Sequence, residues 1–371
     1  MPPTQLSNWQ PVFITRQWNE SVIMSKKPFL GISMGDPAGV GPEIVVKAIM
    51  DPHVHELCVP VVVGDPDVMR QAVAEIVKSG QKIRVIEDPR QAEGQIDTID
   101  VVPIEDIGLG KITFGKVDAK CGEAAFKSVK KVIELALAGK VDGTITSPIN
   151  KEAMNLADYH YDGHTEIYAD LTKTKDYTMM LADGDLRVAH ITTHVAMDKV
   201  PSLISKERVL TVIRLGNDAC KKFGIEKPRI AVAGYNPHAG ENGLFGDQEI
   251  KAITPAIDAA QAEGINATGP FPPDTIFCKA AGGMYDLVIA MYHDQGHIPM
   301  KLISFRYDNK TGSWSGMTGV NITLGLPIVR SSVDHGTAFG KAGKGTASPQ
   351  SLINAIEYGA MLSGGSQLTK E

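Results

Sequence analysis

Short apolar runs rich in β-branched residues alternate with amphipathic helical stretches along nearly the whole chain, and this alternation restricts the fold more than any other feature. Parallel strands buried on both faces read as continuous apolar runs, and each needs a crossover of a dozen or more residues, usually a helix, before the next. Runs at 29–34, 59–63, 83–86, 144–146, 229–233 and 287–291 therefore predict the strands of a mainly parallel α/β sheet. Among the intervening stretches, 121–138 is the clearest helix, with Ala125, Val129, Val132, Ile133 and Ala136 at helical spacing and Gly139 as its stop. The polar, glycine-rich segment 307–319 predicts a loop or hairpin.

A chain of 371 residues exceeds what one hydrophobic core usually supports, so two lobes with a cleft between them are expected. We place the first lobe at 27–150 plus 315–371 and the second at 151–314. Residues 1–26 lack periodicity and run into Met24-Ser25-Lys26-Lys27, which resembles a translation start, so they read as a disordered leader outside the fold. Cys58, Cys121, Cys220 and Cys278 form no CxxC pair, which points to a reducing cytoplasm rather than to a disulfide framework or a cysteine zinc site. Lysine and arginine total 37 against 43 acidic residues, with no long basic run, which argues against a nucleic-acid partner. No stretch reaches the roughly 18 apolar residues of a membrane helix, and the N-terminus lacks the apolar centre of a signal peptide. A cytoplasmic enzyme acting on a small molecule fits these limits.

Eight of the ten histidines lie between 160 and 335, mostly in short polar stretches beside predicted strand ends. His190 and His194 invite a helical chelate, but Ile191, Thr192 and Thr193 are β-branched and favour a strand. On a strand the two rings sit about 13 Å apart, at roughly 3.3 Å per residue, too far for one metal. There is no HExxH either, so a zincin-type protease is not indicated. His194 is expected to end a strand at 187–193, His293 a strand at 287–292, and His238 follows the strand at 229–233 in a turn made by Asn236, Pro237 and Gly240. Three imidazoles delivered by strand ends would make a metal site with open coordination positions. Histidines that only stabilise loops are the alternative.

GISMGDPAGVGPEI follows a strand and starts a helix, with Pro42 suited to the first helical position and Glu43 to the first turn. Its spacing is neither GxGxxG nor GxxxxGK[ST], so by itself it reads as a tight strand-to-helix turn. Lys301, Asn321 and Arg330 lie in apolar or turn-forming surroundings. A lysine, an arginine and an amide converging on one pocket would suit a phosphate or carboxylate, whereas singly each reads as a solvated residue.

The motifs GDPAGVGPE, GHTE, TTH, NPHAGE, PPDT, YHDQG, VNITLGLP and SVDHGTA together resemble the 4-hydroxythreonine-4-phosphate dehydrogenase family, from about residue 28 to 362. The resemblance implies a fold like that of isocitrate and isopropylmalate dehydrogenases, with two α/β lobes and a deep cleft. It implies an obligate homodimer whose sites use both subunits, and NAD bound without a Rossmann fingerprint. One divalent metal per site, zinc first and magnesium, manganese or cobalt as alternatives, is implied at His194, His238 and His293. Implied substrate contacts are His164 and Thr165 of GHTE, Lys301, Asn321 and Arg330. Asp274 and Asp294 match acidic residues near the metal and are candidates for catalytic proton transfer. The segment between Lys301 and Asn321, with its KTGSW, is longer than in the biosynthetic pattern. With GYNPHAGENGLFG and GTAFGKAGKGTA, it looks more like the D-threonate 4-phosphate dehydrogenase branch.

The expected reaction oxidises a 4-phosphorylated 3-hydroxy acid at C3 and then loses CO2 from the resulting β-keto acid. Substrates weighed are 4-phospho-D-threonate, which would give dihydroxyacetone phosphate, 4-phosphohydroxy-L-threonine of pyridoxal phosphate biosynthesis, and an aromatic cis-dihydrodiol such as that of terephthalate. A metallohydrolase and a metabolite-binding protein are the readings from other classes.

Overall fold

The computed structural model describes residues 27–309, 313–315 and 318–365. The expected leader, 1–26, lies outside them. The described strands are β1 (Phe29–Ser33), β2 (Val59–Gly64), β3 (Lys82–Val85), β4 (Thr98–Pro103), β5 (Gly143–Thr146), β6 (Thr178–Asp183), β7 (Leu186–His190), β8 (Ile230–Ala233), β9 (Ala267–Phe271), β10 (Leu287–Ala290), β11 (Arg306–Asp308), β12 (Ser313–Ser315), β13 (Val320–Leu324) and β14 (Arg330–Val333). Helices that bear on the site are α1 (Gly41–Ile49), α2 (Ala119–Leu137), α3 (Lys151–Leu156), α4 (His164–Leu171), α5 (Lys206–Lys222), α6 (Pro273–Ala281), α7 (His293–Ser304) and α8 (Gln350–Ala360). No helix among the described residues is long and apolar enough to cross a membrane.

Twelve strands form one sheet in the order β3-β4-β2-β1-β5-β14-β13-β6-β7-β10-β8-β9. The sheet is parallel on both sides of a central antiparallel stretch, where β14 meets β13, β13 meets β6 and β6 meets β7. Three reversals in a row make β7 run opposite to β14. The strands of the second half, β7-β10-β8-β9, therefore end on the edge where β14 begins. Most of the apolar runs predicted from the sequence are parallel strands with both faces covered, as buried β1 and β2 show, whereas β3 lies at the edge and is partly exposed. The segment at 307–319 contributes to a hairpin, in which Tyr307 pairs with Trp314.

Alternate residues give the sheet two unlike faces. On one face Ile32, Ile145, Met180, Ala189, Ile289 and Ile322 join the largest apolar cluster, against helices that include α5 and α8. On the other, Met179, Val188 and Ala290 pack with Met300 of α7 and Ile276 of α6. Thr323 pairs with Met179 and so shares that second face. By register Asn321, Ser332, Arg330, Thr144 and Thr146 share it too, leaving a polar strip on β5, β14 and β13.

The helix read at 121–138 is α2. Asp118 caps it, its side chain accepting from Lys120 N at 2.8 Å and Cys121 N at 3.2 Å. Gly139 takes φ +67 just beyond it, as its role of stop requires. Gly122 brings α2 against α3 so closely that a Cβ there would lie 2.1 Å from the Ala153 carbonyl oxygen, a backbone atom. Gly122→Ala should therefore destabilise the chain by about 1–3 kcal/mol through overpacking, despite alanine's better helix propensity. Thermal denaturation checks this, and an unchanged Tm would contradict the close crossing.

Candidate active site

Arg330 opens β14 and is 3% exposed. Its Nη1 donates to Thr323 Oγ1 at 2.7 Å and Thr165 Oγ1 at 3.4 Å, its Nη2 to Thr146 Oγ1 at 3.2 Å, and its buried Nε has no partner. The Tyr168 ring lies 5.6 Å below the guanidinium. No carboxylate pairs with it among the described residues, although an isolated buried charge is costly unless paired. Burial pulls its pKa down to about 10, with Tyr168 and Glu166 acting the other way, so it stays charged at neutral pH.

The first turn of α4 completes this cage. His164 keeps a buried Nε2 with no partner, and its pKa is held well below the usual imidazole value by burial first, then by Arg330 and Lys151. Cationic and neutral donors thus gather at Arg330, and no carboxylate of the described residues hydrogen-bonds to it. The geometry suits a phosphate or carboxylate.

Asn321 and Lys301 extend the strip without touching Arg330. Asn321 pairs with Ser332 on the same face, and its Oδ1 is buried without a partner. Lys301, in the last turn of α7, reaches past the far end of β14, where its Nζ donates to the Asp334 carboxylate and, at 3.1 Å, to the Asp334 carbonyl. Convergence of the three cation and amide groups on one point, anticipated from the sequence, is thus a linear arrangement along one face.

Thr165 and Glu166 join the cage to a second cluster. Glu166 Oε1 lies 3.9 Å from His194 Nδ1, and the ring centroids of His194 and His293 are 5.7 Å apart. Both rings line a cleft of about 300 Å³ together with Val195, Met197 and Tyr292. The strand expected to carry His194 stops at His190. Thr192 diverts its hydroxyl to the Met291 carbonyl, 2.9 Å away, and Val195 N closes a turn onto Thr193. Likewise β10 ends at Ala290, so His293 begins α7 rather than ending a strand.

His238 is exposed on the loop after β8, in a run of left-handed residues from 238 to 242. Such a run is unfavourable for side-chain-bearing residues. Buried Glu249 holds it by accepting from Tyr235 N at 2.7 Å, Asn236 N at 2.8 Å and Asn236 Nδ2 at 2.8 Å. Asp274, exposed in the first turn of α6, follows β9. Asp294 accepts from His293 Nδ1 at 2.6 Å. His194, His293, His238 and Asp274 thus follow the ends of four neighbouring strands, β7-β10-β8-β9, on one edge. Among the described residues no three histidines, cysteines or carboxylates close into a metal-holding group. The pair His194 and His293 nevertheless fits a divalent cation chemically. His293 Nδ1 is spent on Asp294, which leaves Nε2 with a free lone pair.

Sequence reasoning missed Thr146, Thr323, Tyr168, Glu166 and Glu249. For the first two a signal existed, because Thr144/Thr146 and Asn321/Thr323 alternate at strand period beside apolar neighbours. Glu249 had none, being 13 residues from the turn it supports.

The family model described as Pyridoxal phosphate biosynthetic protein PdxA matches residues 56–359. D-threonate 4-phosphate dehydrogenase of Salmonella typhimurium LT2 is 46% identical over 336 residues, covering 90% of this chain and 98% of that protein. The 4-hydroxythreonine-4-phosphate dehydrogenase of Desulforapulum autotrophicum is 43% identical over 336 residues, 90% of this chain and 95% of that one. The solved structure of 4-hydroxythreonine-4-phosphate dehydrogenase from Klebsiella pneumoniae aligns with a TM-score of 0.77 at 42% identity, covering 91% of this chain and all of that chain. The fold is therefore the isocitrate/isopropylmalate dehydrogenase-like α/β fold anticipated from the motifs.

The unpaired guanidinium predicts an unusual separation of stability from binding. Arg330→Met should leave the Tm of the ligand-free protein unchanged or higher, because it removes an uncompensated buried charge. If an anion binds beside Arg330, millimolar inorganic phosphate should raise the Tm of the unaltered chain and leave that of Arg330→Met unchanged. A large fall in Tm without ligand would contradict this.

His190 predicts an acid dependence. Burial, followed by the nearby His297, pulls its pKa from 6.5 to about 3. The unfolded chain therefore binds a proton below about pH 6.5 that the folded chain refuses until near pH 3. Its stability contribution is full above pH 6.5 and is lost as pH falls through that window, at up to about 1.4 kcal/mol per pH unit. Urea denaturation between pH 7 and 4 should show a shallower pH slope in His190→Asn, and equal slopes would contradict the assignment.

Proposed function

Because the chain belongs to the pyridoxal phosphate biosynthetic protein PdxA family, we propose that it is an NAD-dependent, divalent-metal-dependent dehydrogenase that oxidises and decarboxylates a 4-phosphorylated 3-hydroxy acid. The favoured substrate is 4-phospho-D-threonate, giving dihydroxyacetone phosphate and CO2. One observation carries the phosphate, namely the buried Arg330 with no carboxylate partner, faced by His164 and Thr165. Relatives that bear the D-threonate name, and the long segment between Lys301 and Asn321, favour this substrate. Relatives named for 4-hydroxythreonine 4-phosphate keep 4-phosphohydroxy-L-threonine as the second reading.

On this reading, Arg330, His164 and Thr165 hold the phosphate, and Asn321 and Lys301 hold the remaining polar groups along the strip. Oxidation moves a hydride from C3 to NAD and the C3 hydroxyl proton to a base, for which Asp274 is the candidate. A divalent cation held by His194, His238 and His293 would supply Lewis acidity to the hydroxyl oxygen. The C1 carboxylate is then β to a ketone. Cleavage of C1–C2 releases CO2, and protonation at C2 completes dihydroxyacetone phosphate. Burial of the phosphate end along the strip fixes the substrate's direction before the hydride moves. Two lobes, 27–150 with 315–371 and 151–314, and a homodimer with shared sites belong to the same proposal. Ile298, Leu302 and Ile303 support the dimer, lying exposed on α7, the helix that His293 begins.

An NADH-coupled screen of 4-phospho-D-threonate, 4-phospho-D-erythronate, 4-phosphohydroxy-L-threonine and a cis-dihydrodiol tests this directly. 4-Phospho-D-threonate should show the highest kcat/KM, a chelator should abolish turnover, and added Zn²⁺ or Mn²⁺ should restore it. Light scattering on the same preparation should give the mass of two protomers. Release of inorganic phosphate without NADH would instead mark a metallohydrolase, and binding without turnover would mark a binding protein.

A further inference from the structure

Behind His293 lies a stack of imidazoles that the proposed reaction does not use. His297 is one helical turn along α7 from His293, so both rings share one face of the helix. They lie flat on one another, with centroids 3.6 Å apart and planes 10° apart. His297 is itself held, since its Nδ1 meets the His293 carbonyl oxygen at 3.0 Å, and a carbonyl can only accept. Its ring also meets that of His190, fully buried on β7, at 4.7 Å between centroids and tilted by 45°. His190 is anchored in turn through Nδ1 to the Met179 carbonyl at 3.3 Å. Gly296 makes this contact feasible, because a Cβ there would lie 2.3 Å from His190 Nε2.

We infer that His297 is a positioning residue for His293, fixing the plane of its ring so that Nε2 faces the cleft. Asp294 and His297 divide the task. The Asp294 carboxylate, 2.6 Å from Nδ1, fixes the tautomer and the rotation of the ring within its plane. A hydrogen bond of that kind leaves the ring free to tilt about the bond. The stacked face of His297, backed by the rigid β7 through His190, removes the tilt. A merely space-filling residue would not require the parallel orientation, nor a tether to the carbonyl of the residue it supports. The inference rests on the proposed metal role of His293.

Purified full-length protein, stripped of metal and titrated with Zn²⁺ against a chromophoric chelator, tests it. His297→Leu and His297→Gln, which cannot stack, should weaken Zn²⁺ binding by about tenfold to a hundredfold, the usual effect of removing support behind a ligand. His297→Phe keeps a flat ring and should restore the affinity to within about threefold of the unaltered protein. Circular dichroism and Tm of the metal-free forms show which variants fold, and the comparison uses those that do. Unchanged Zn²⁺ affinity in a folded non-stacking variant overturns the role of His297, as does a folded His297→Phe as weak as His297→Leu. His293→Ala separates the two levels. If it binds Zn²⁺ as tightly as the unaltered protein, the metal role of His293 fails and takes the positioning role with it. If it loses Zn²⁺ while the non-stacking variants keep it, only the positioning role fails.

Discussion

Five backbone pairs between β13 and β6, from Val320 with Ala182 to Leu324 with Thr178, hold the two halves of the sheet together. The candidate site depends on this seam. Its three antiparallel pairings reverse the strand direction, so the open ends of β7-β10-β8-β9 meet the start of β14 on one edge. Without that reversal Arg330 and His194 would lie at opposite edges. The same register places Thr323 against the guanidinium and Asn321 beyond it on one face. A short antiparallel seam is thus what turns two parallel half-sheets into one site.

Two clusters with different physics share that edge. The cage around Arg330 is buried, built from strand residues locked by the ladder and from the first turn of α4. The histidine cluster stands on helix starts and loops, where His194 and His293 face an open cleft and His238 rides a strained turn pinned by Glu249. Functional groups placed on loops over a rigid scaffold can adjust to a ligand while the scaffold keeps its shape. Helix α4 links the two, because its first turn sends His164 and Thr165 to the cage and Glu166 to His194.

The parallel strands β1, β2, β8 and β10 were legible because burial on both faces leaves no room for polar residues, whereas β4, with buried Asp100, and the less buried β9 were not read. The seam was not. β13 and β14 carry Asn321, Thr323, Arg330 and Ser332 on the site face, and those residues mask the apolar alternation that marks a strand. The strand-end placement of the histidines was legible in outline, since loops follow strands, but the lengths of β7 and β10 were overextended. β-Branched residues at 191–193 favour strand locally, and only the tertiary partner of Thr192, the Met291 carbonyl, stops it. Lys301 shows the same limit. Nothing in a sequence window reveals that Asp334 already holds its charge.

On the proposed function, the uncompensated guanidinium of Arg330 would tie the lifetime of the chain to the concentration of its anionic ligand. An anion bound to it would add stability that grows with the logarithm of its concentration, about 2.7 kcal/mol at a hundred times the dissociation constant. Proteases that cut transiently opened chains sample a population set by that same free energy. A chain with its ligand bound would open more rarely and be cut more slowly. Without that ligand the buried charge would again be uncompensated, and the chain would open more often.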